Sequence, residues 1–536
     1  MITNPALASA PWWQRGTVYQ VYPRSFQDSD GDGVGDLRGI ERRLDYIASL
    51  GVDAIWLSPI FPSPMADFVY DVADYCDVEP VFGDLVAFDS LLAAAHARSL
   101  KLLLDFVPNH SSDRHRWFLD SRASRDNPKR DWYIWRDPAP DGGPPNNWTS
   151  DFGGSSWTFD EATGQYYLHA FLKEQPDLNW RNPDLRTAMV DVLRFWLDRG
   201  VDGFRIDVLW HIIKAAELPD NPLNPAYGPH LGGRDRLLQV HSTDQPEAHV
   251  IAAEFRALAD TYDDRVLIGE IFLPDDRLAR WHGTPERPEV HLPFNFHLIE
   301  SPWDAGVLAR TIANYEASLP IWGWPNWVIG SHDAARIAAR LGEAQARVAA
   351  VLLLTLRGTP TLYQGDELGI GEVAIPADRI RDPRELREPG LGLGRDRSRT
   401  PMPWDASPNA GFSTGEPWLP LGDDWRTRNV EVQAGDPSSM LTFYRALLRQ
   451  RRASAALSIG SIELLETEDE VLAYERGHGD ERLLVALNFG DRPRRLPLAA
   501  QRGHEVLLTT LGDLPTGVNL RPTEAVIIRL NPDGKA

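Results

Sequence analysis

The sequence predicts an α/β protein: a (β/α)8 TIM barrel with an irregular subdomain inserted after the third strand and an antiparallel β-sandwich domain at the C-terminal end. Three observations predict it. Eight short apolar runs of strand length recur along the chain, each bounded by turn residues. Helical patterns with apolar residues at spacings of three and four lie between several of them, and such alternation implies a parallel sheet. Beyond about Ser454 the helical patterns stop and only short strand-like pieces remain.

The first three runs are TVYQVYP (17–23), AIWLSPI (54–60) and KLLLDFVP (101–108), separated by the helical stretches LRGIERRLDYIASLG and AFDSLLAAAHARSL. From Asn109 to about Asp177 the rhythm breaks into Pro, Gly, Asn and Trp, as in RDPAPDGGPPNNW, which predicts the inserted subdomain. The runs resume with GFRID (203–207), RVLIGEI (265–271), HLPFNF (291–296), WVIGSHD (327–333) and TPTLYQG (359–365). A second insertion rich in Pro, Gly and Arg spans about Asp366 to Asp424, where it would wall the barrel mouth. SIELLE, VLAYERG, RLLVALNF, EVLLTT and EAVIIRL then supply the sandwich strands. The expected division is a catalytic barrel over 1–108 and 178–453, an inserted subdomain over 109–177, and a sandwich over 454–536.

Composition narrows the function. No apolar run approaches the roughly 18 residues a membrane helix needs, and the opening residues lack the basic start and apolar core of a signal peptide, so the reading is a cytoplasmic protein with no membrane partner. The single cysteine, Cys76, allows no intrachain disulfide, which fits a reducing compartment. With 55 basic against 77 acidic residues the net charge is −22, which repels nucleic acid and disfavours phosphorylated substrates. A small neutral substrate is the natural partner, bound by a monomer or homodimer. The 19 tryptophans suit stacking on sugar rings, although most aromatic residues in a chain this large fill cores.

Function in such a barrel collects at the carboxyl ends of the strands. Runs four, five and seven close on Asp207, Glu270 and Asp333. Isolated buried carboxylates are costly, so three converging on one rim need a purpose. Arg205 lies two residues before Asp207, on the same side of the strand, and a cation there should keep Asp207 ionised as a nucleophile requires. Glu270 sits among Val266, Leu267, Ile268, Ile271 and Phe272, and apolar surroundings should raise its pKa so that it holds a proton for a leaving group. Two carboxyls set apart in this way are the pattern of a retaining glycosidase, with about 5 Å expected between them. Asp333, beside His332, would balance an oxocarbenium-like transition state. The loop DSDGDGVGD (28–36) supplies Asp28, Asp30, Asp32 and Asp36 with Gly33 at the turn, a spacing that wraps oxygen ligands round Ca²⁺. Gly39 at the twelfth position excludes an EF-hand.

DFVPNH (105–110), QPDLN (175–179), GFRID (203–207), GEIF (269–272) and SHD (331–333) together resemble glycoside hydrolase family 13, the α-amylase family, over essentially the whole chain. The resemblance implies Asp207 as nucleophile, Glu270 as acid/base and Asp333 as transition-state stabiliser, with Arg205, His110 and His332 in sugar-binding and nucleophile-supporting positions. Ser331 departs from the usual Asn before the His-Asp pair, and Ala334 and Ala335 from a frequent polar pair, which bears on the acceptor side. SPMADFVYDVADY (63–75) and SRTPMPWD (398–405) are similar to the oligo-1,6-glucosidase and α-glucosidase branch. That similarity implies an Asp67–Arg399 pair closing the pocket round a non-reducing glucose, Tyr70 stacking on it, and Phe152 and Phe171 as walls. The branch often has Gly where this chain has Val69. It also implies a structural Ca²⁺, sometimes Mg²⁺, bound by the four loop carboxylates and the Val34 carbonyl, and no organic cofactor.

The expected activity is an exo-acting retaining α-glucosidase acting on short α-glucosides such as maltose, isomaltose, sucrose or trehalose. In the branch that the chain resembles, the residue directly after the nucleophile tends to be Val in enzymes cleaving α-1,6 bonds and Ala, Gly or Thr in those cleaving α-1,4 bonds, so Val208 implies a slight lean towards α-1,6. Two rivals stand beside it: a transglucosidase or sucrose isomerase on the same fold, and a non-catalytic relative, which the three retained acids and the missing membrane helix disfavour.

Overall fold

Eight parallel strands close into a barrel in the computed structural model, which describes residues 7, 9–228, 230–467, 469–496, 504–512 and 519–531. They are β1 (Val18–Val21), β2 (Ala54–Leu57), β3 (Lys101–Phe106), β4 (Gly203–Ile206), β5 (Val266–Gly269), β6 (Leu292–Asn295), β7 (Asn326–Val328) and β8 (Thr359–Tyr363). Each pairs with its neighbours in sequence, and β8 returns to β1 through Val18 opposite Thr361. Seven of the eight predicted runs each contain one of these strands, and the remaining one, 327–333, overlaps β7 only at Trp327 and Val328. Apart from Lys101 at the start of β3, every strand residue is buried, because the inner face packs the lumen and the outer face meets helices.

The helices are set by their caps. Asp84 accepts from Ala87 N–H to start α1 (Leu85–Ala97), and Asn182 with Pro183 behind it starts α2 (Pro183–Asp198). Further round lie α3 (Glu247–Ala259), α4 (Ala305–Ser318), α5 (Glu343–Thr355) and α6 (Met440–Ala453). Nine of the thirteen α5 residues are buried, because that helix lies between the barrel and the C-terminal sheet. Among the described residues no helix is long and apolar enough to cross a membrane.

Between β3 and α2 the chain leaves the barrel. The insertion carries a three-stranded antiparallel sheet (Trp135–Arg136, Gln165–Leu168 and Trp157–Asp160) over a small core containing Trp148, Trp157 and Leu168. A buried ion pair fastens it down: Lys214 Nζ, in the loop after β4, reaches Asp177 at 2.5 Å and Asn109 Oδ1 at 2.6 Å. The C-terminal region holds β9 (Ser461–Leu464), β10 (Val471–His478), β11 (Glu481–Asn488), β12 (His504–Thr509) and β13 (Ala525–Leu530) in one antiparallel sheet. Alternation splits its side chains: Leu472, Tyr474, Leu483 and Val485 join the main core, while Val471, Ala473, Leu484 and Ala486 pack under Leu496 and Leu520 beside a two-stranded ribbon.

Candidate active site

A pocket of about 460 Å³ opens at the carboxyl ends of the strands, floored by Asp207, Glu270 and Asp333. Asp207 and Glu270 each follow directly on β4 and β5, and parallel pairing holds them side by side: Asp207 N–H donates to Phe106 O (2.8 Å) and Glu270 N–H to Ile206 O (2.9 Å). Asp333 differs from the sequence expectation, standing five residues beyond the end of β7 on a loop rather than at the strand terminus. Val208, just after Asp207, has φ +37°, an uncommon conformation for a β-branched residue and one that marks a constrained turn.

Arg205 organises the acids. Its Nη1 donates to Asp207 Oδ1 (2.6 Å) and Asp105 Oδ1 (2.9 Å), and its Nη2 reaches Glu270 Oε2 at 2.8 Å. Glu270 Oε2 also accepts from Val208 N–H at 2.8 Å. One guanidinium thus faces three buried carboxyls, and three ionised acids would leave two uncompensated negative charges out of water. Burial accordingly pushes Asp207, Glu270 and Asp105 all upward against the pull of Arg205, Asp105 to about 7. Both acids meet the same guanidinium, Asp207 through Oδ1 and Glu270 through Oε2. Burial therefore acts on Asp207 in the same upward sense as on Glu270, where the sequence predicted that Arg205 alone would set Asp207.

The contrast lies with Asp333. Burial pulls it upward, but His332, Arg399 and Arg395 outweigh that and hold it well below the usual carboxylate range. Arg399 Nη2 donates to its Oδ1 at 2.6 Å and Arg395 Nη1 at 3.2 Å, while His332 Nε2 lies 3.1 Å from Oδ2. His332 accepts at Nδ1 from Gln20 Nε2 (2.7 Å), so in the neutral ring Nε2 carries the hydrogen, directed at Asp333 and the Tyr70 hydroxyl (2.8 Å). Burial lowers His332 to about 3, which keeps it neutral. Tyr70 passes the chain on by donating to Asp105 Oδ2 at 3.2 Å, and its ring stacks on His332 with centroids 5.7 Å apart.

The far wall corrects one expectation. Arg399 does not reach Asp67; it is committed to Asp333 and to the His332 carbonyl (3.0 Å). Arg395, four residues earlier, takes that place, donating through Nη2 to Asp67 Oδ1 and to Asp382 Oδ1, each at 2.8 Å. Two arginines one helical turn apart in GRDRSR divide the work because the backbone makes a 3₁₀ turn over Asp396–Ser398. Asp67 is presented by strained backbone, Phe68 at φ +47° and Val69 at φ +79°. Gly suits such a conformation, and Val69 is buried in the core outside the pocket lining. His110 Nε2 donates to the Tyr70 carbonyl (3.1 Å), burial lowers its pKa to about 4, and its ring lies against Phe171. Phe152 and Phe171 meet edge to face at 6.1 Å and line the pocket with Asp67, Tyr70 and His110. Arg205, His332 and Arg399 stand behind that lining and act on it through the acids. Sequence reading passed over Asp105, Gln175, Asp382 and Arg395. The first two lie inside DFVPNH and QPDLN, so the motifs already held two of the four signals, while Arg395 stands three residues before SRTPMPWD and Asp382 lies far from any motif.

The acidic loop lies apart from this pocket. Carboxylate oxygens of Asp28, Asp30 and Asp36 come within 4.8 Å of one another, a hard-oxygen donor set that fits Ca²⁺ or Mg²⁺. Asp32 stands outside that group, its carboxylate accepting from Val34 N–H at 2.7 Å.

Residues 20–460 match the family model described as the α-amylase catalytic domain, and 460–527 one described as a domain of unknown function. A probable α-glucosidase of Rhizobium meliloti is 42% identical over 92% of both chains. The oligo-1,6-glucosidase of Parageobacillus thermoglucosidasius is 37% identical over 97% of this chain and 99% of its own. Among solved structures, an α-glucosyl transfer enzyme superposes with a TM-score of 0.92 at 41% identity, covering 98% of this chain and all of that one.

Proposed function

The chain belongs to the α-amylase family, in its α-glucosidase branch, and from that premise we propose an exo-acting retaining α-glucosidase that removes α-glucose from the non-reducing end of short α-glucosides. The observation that carries this reading is the Asp67–Arg395–Asp382 cluster in the pocket wall, which Arg395 Nη1 ties to Asp333. It closes one end of the pocket, so a terminal glucose fits and the middle of a polymer does not. Asp207, aligned by Arg205, attacks the anomeric carbon while Glu270 gives its proton to the departing oxygen. Asp333, held ionised by two arginines, faces the positive charge that develops on the ring. Water attacks the glucosyl ester on Asp207 in the second half-reaction, with Glu270 taking its proton. Transfer to another hydroxyl in place of water is the second reading, favoured by the likeness to an α-glucosyl transfer enzyme.

Asp28, Asp30 and Asp36 are proposed to hold a structural divalent cation, which would tie the loop after β1 to the start of the next helix and take no part in bond cleavage. The test of the function is a panel of maltose, isomaltose, sucrose, trehalose, maltotriose and starch, read for glucose released. The disaccharide-sized substrates are expected to turn over at least about a hundred times faster per terminal glucose than starch, a gap of roughly 2.7 kcal/mol in transition-state binding. Rapid release of oligosaccharides from starch would defeat the exo assignment, and a clear preference for maltose over isomaltose would remove the α-1,6 lean drawn from Val208.

A further inference from the structure

Gln20 of β1 is wholly buried, its backbone paired with Trp56 of β2 on one side and Tyr363 of β8 on the other. Its side chain reaches the histidine that touches Asp333. Nε2 donates one hydrogen to His332 Nδ1 at 2.7 Å and the other to Ser58 Oγ at 3.2 Å. The facing of the amide follows from Asp333. That carboxylate is held ionised and stands 3.1 Å from His332 Nε2, so the proton of the neutral ring belongs on Nε2 and Nδ1 offers a lone pair. Only a donor satisfies that lone pair. Gln20 Oε1 has no hydrogen-bond partner among the described residues, so His332 and Ser58 alone decide which way the amide faces.

Three aromatic rings hold the imidazole in place: Tyr22 and Tyr70 stack on it at 5.6 and 5.7 Å, and Trp56 meets it edge-on at 6.1 Å. Stacking fixes where the ring lies and leaves open which nitrogen is protonated. Burial, together with Arg399, Arg205 and Arg395, outweighs Asp333 and keeps the ring neutral, so one proton must be shared between two nitrogens. We infer that Gln20 is a positioning residue that selects the Nε2–H form of His332 and, through it, orders Asp333 and Tyr70 for the reaction. The inference rests on the glucosidase reading, in which Asp333 faces the charge that develops on the sugar. With Nε2 protonated, the ring offers its hydrogen to Asp333 and the Tyr70 oxygen, and Tyr70 keeps its own for Asp105. With Nδ1 protonated instead, lone pairs of Nε2 and Asp333 face each other, Tyr70 must turn its hydroxyl to Nε2, and Asp105 loses a donor. A carboxylate at position 20 would favour that second form, which is why an amide suits this place and an acid does not.

The test compares the full chain with its Gln20→Glu and Gln20→Met variants on maltose or isomaltose, recording kcat and kcat/KM across the pH range. In Q20E the introduced carboxyl and His332 titrate as one pair. While the pair holds its extra proton, on the carboxyl or on the ring, Nε2 keeps its hydrogen. Once that proton is lost, the remaining one moves to the Nδ1 side, because Asp333 already has two arginines and yields it to the uncompensated carboxylate. Activity of Q20E is therefore expected to fall along an alkaline limb about one pH unit or more below that of wild type. Q20M removes the donor without adding a charge. It is expected to keep the wild-type limbs and to lose about ten-fold in kcat while KM changes less than about two-fold, because the chain of hydrogen bonds acts on the transition state. The position of a limb does not depend on how much of a preparation is folded, and kcat is taken per folded molecule. A Q20E profile with wild-type limbs, or a Q20M kcat equal to that of wild type, would overturn the inference while leaving the hydrolase reading intact. Absence of glucose release by wild type would overturn the two together.

Discussion

At the residue scale, the site is governed by how many charges share one low-dielectric space. Arg205 compensates one of the three carboxyls it touches, so a proton stays in the cluster, whereas Asp333 has two arginines and stays ionised. The same burial acts on histidines in the opposite sense. His115 caps the helix Arg116–Ala123 through Nδ1, which accepts from Trp117 N–H, and burial holds it to about 3. Its folded pKa lies below the unfolded value of about 6.5. The unfolded chain therefore takes up a proton that the folded chain refuses, so stability attached to His115 is complete above that pH and declines as pH falls towards 3. His115→Asn keeps a capping acceptor and cannot titrate. Relative to wild type, the variant's stability deficit at pH 7 should shrink by up to about 1.4 kcal/mol per pH unit between pH 6 and pH 4. Urea unfolding at pH 7, 6, 5 and 4 measures it, and a constant deficit would show that His115 is protonated in the fold.

At the scale of elements, the barrel strands were legible because apolar runs bounded by turns are what a strand buried on both faces requires. Asp207 and Glu270 were legible for the same reason, as charges at the ends of such runs. Asp333 was placed by its motif, and the five-residue loop that carries it left no mark on periodicity. The Asp67 partner was misread because Arg395 and Arg399 are indistinguishable in GRDRSR until the 3₁₀ turn between them is known. The small sheet of the insertion was hidden in a Trp-rich stretch whose alternation is short. The acidic loop yields a prediction at this scale. Asp36 caps the helix Leu37–Arg42 through Gly39 N–H while one of its oxygens also faces Asp28 and Asp30, so a bound cation would couple loop to helix. A cation present at a hundred times its dissociation constant adds about 2.7 kcal/mol, which in a chain of this length corresponds to roughly 2–3 °C in Tm. Chelation is expected to lower Tm by about that amount and leave the rate at 25 °C unchanged. An identical Tm in chelator and in millimolar Ca²⁺ would remove the site.

At the scale of the whole molecule, three separate stretches build one pocket. The barrel supplies Asp207 and Glu270, the insertion after β3 supplies Phe152 and Phe171, and the long segment after β8 supplies Arg395. Cross-links among them fix the mouth: Arg234 of the loop after β4 pairs with Asp151 at 2.8 Å, and Arg387 Nη2 donates to the Gly153 carbonyl at 2.8 Å. A rim joined in this way presents the sugar to the acids in one orientation, which is what covalent catalysis needs. The account stands on a glucosyl ester at Asp207, and trapping that ester tests it most directly. A 5-fluoro-α-glucosyl fluoride reacts fast enough to load the enzyme, while its ring fluorine slows release by opposing positive charge. Digestion and mass spectrometry should then find one fluoroglucosyl group per chain on the peptide containing Asp207, and none in Asp207→Asn. Turnover without that adduct, or an adduct on Glu270 or Asp333, would contradict the mechanism.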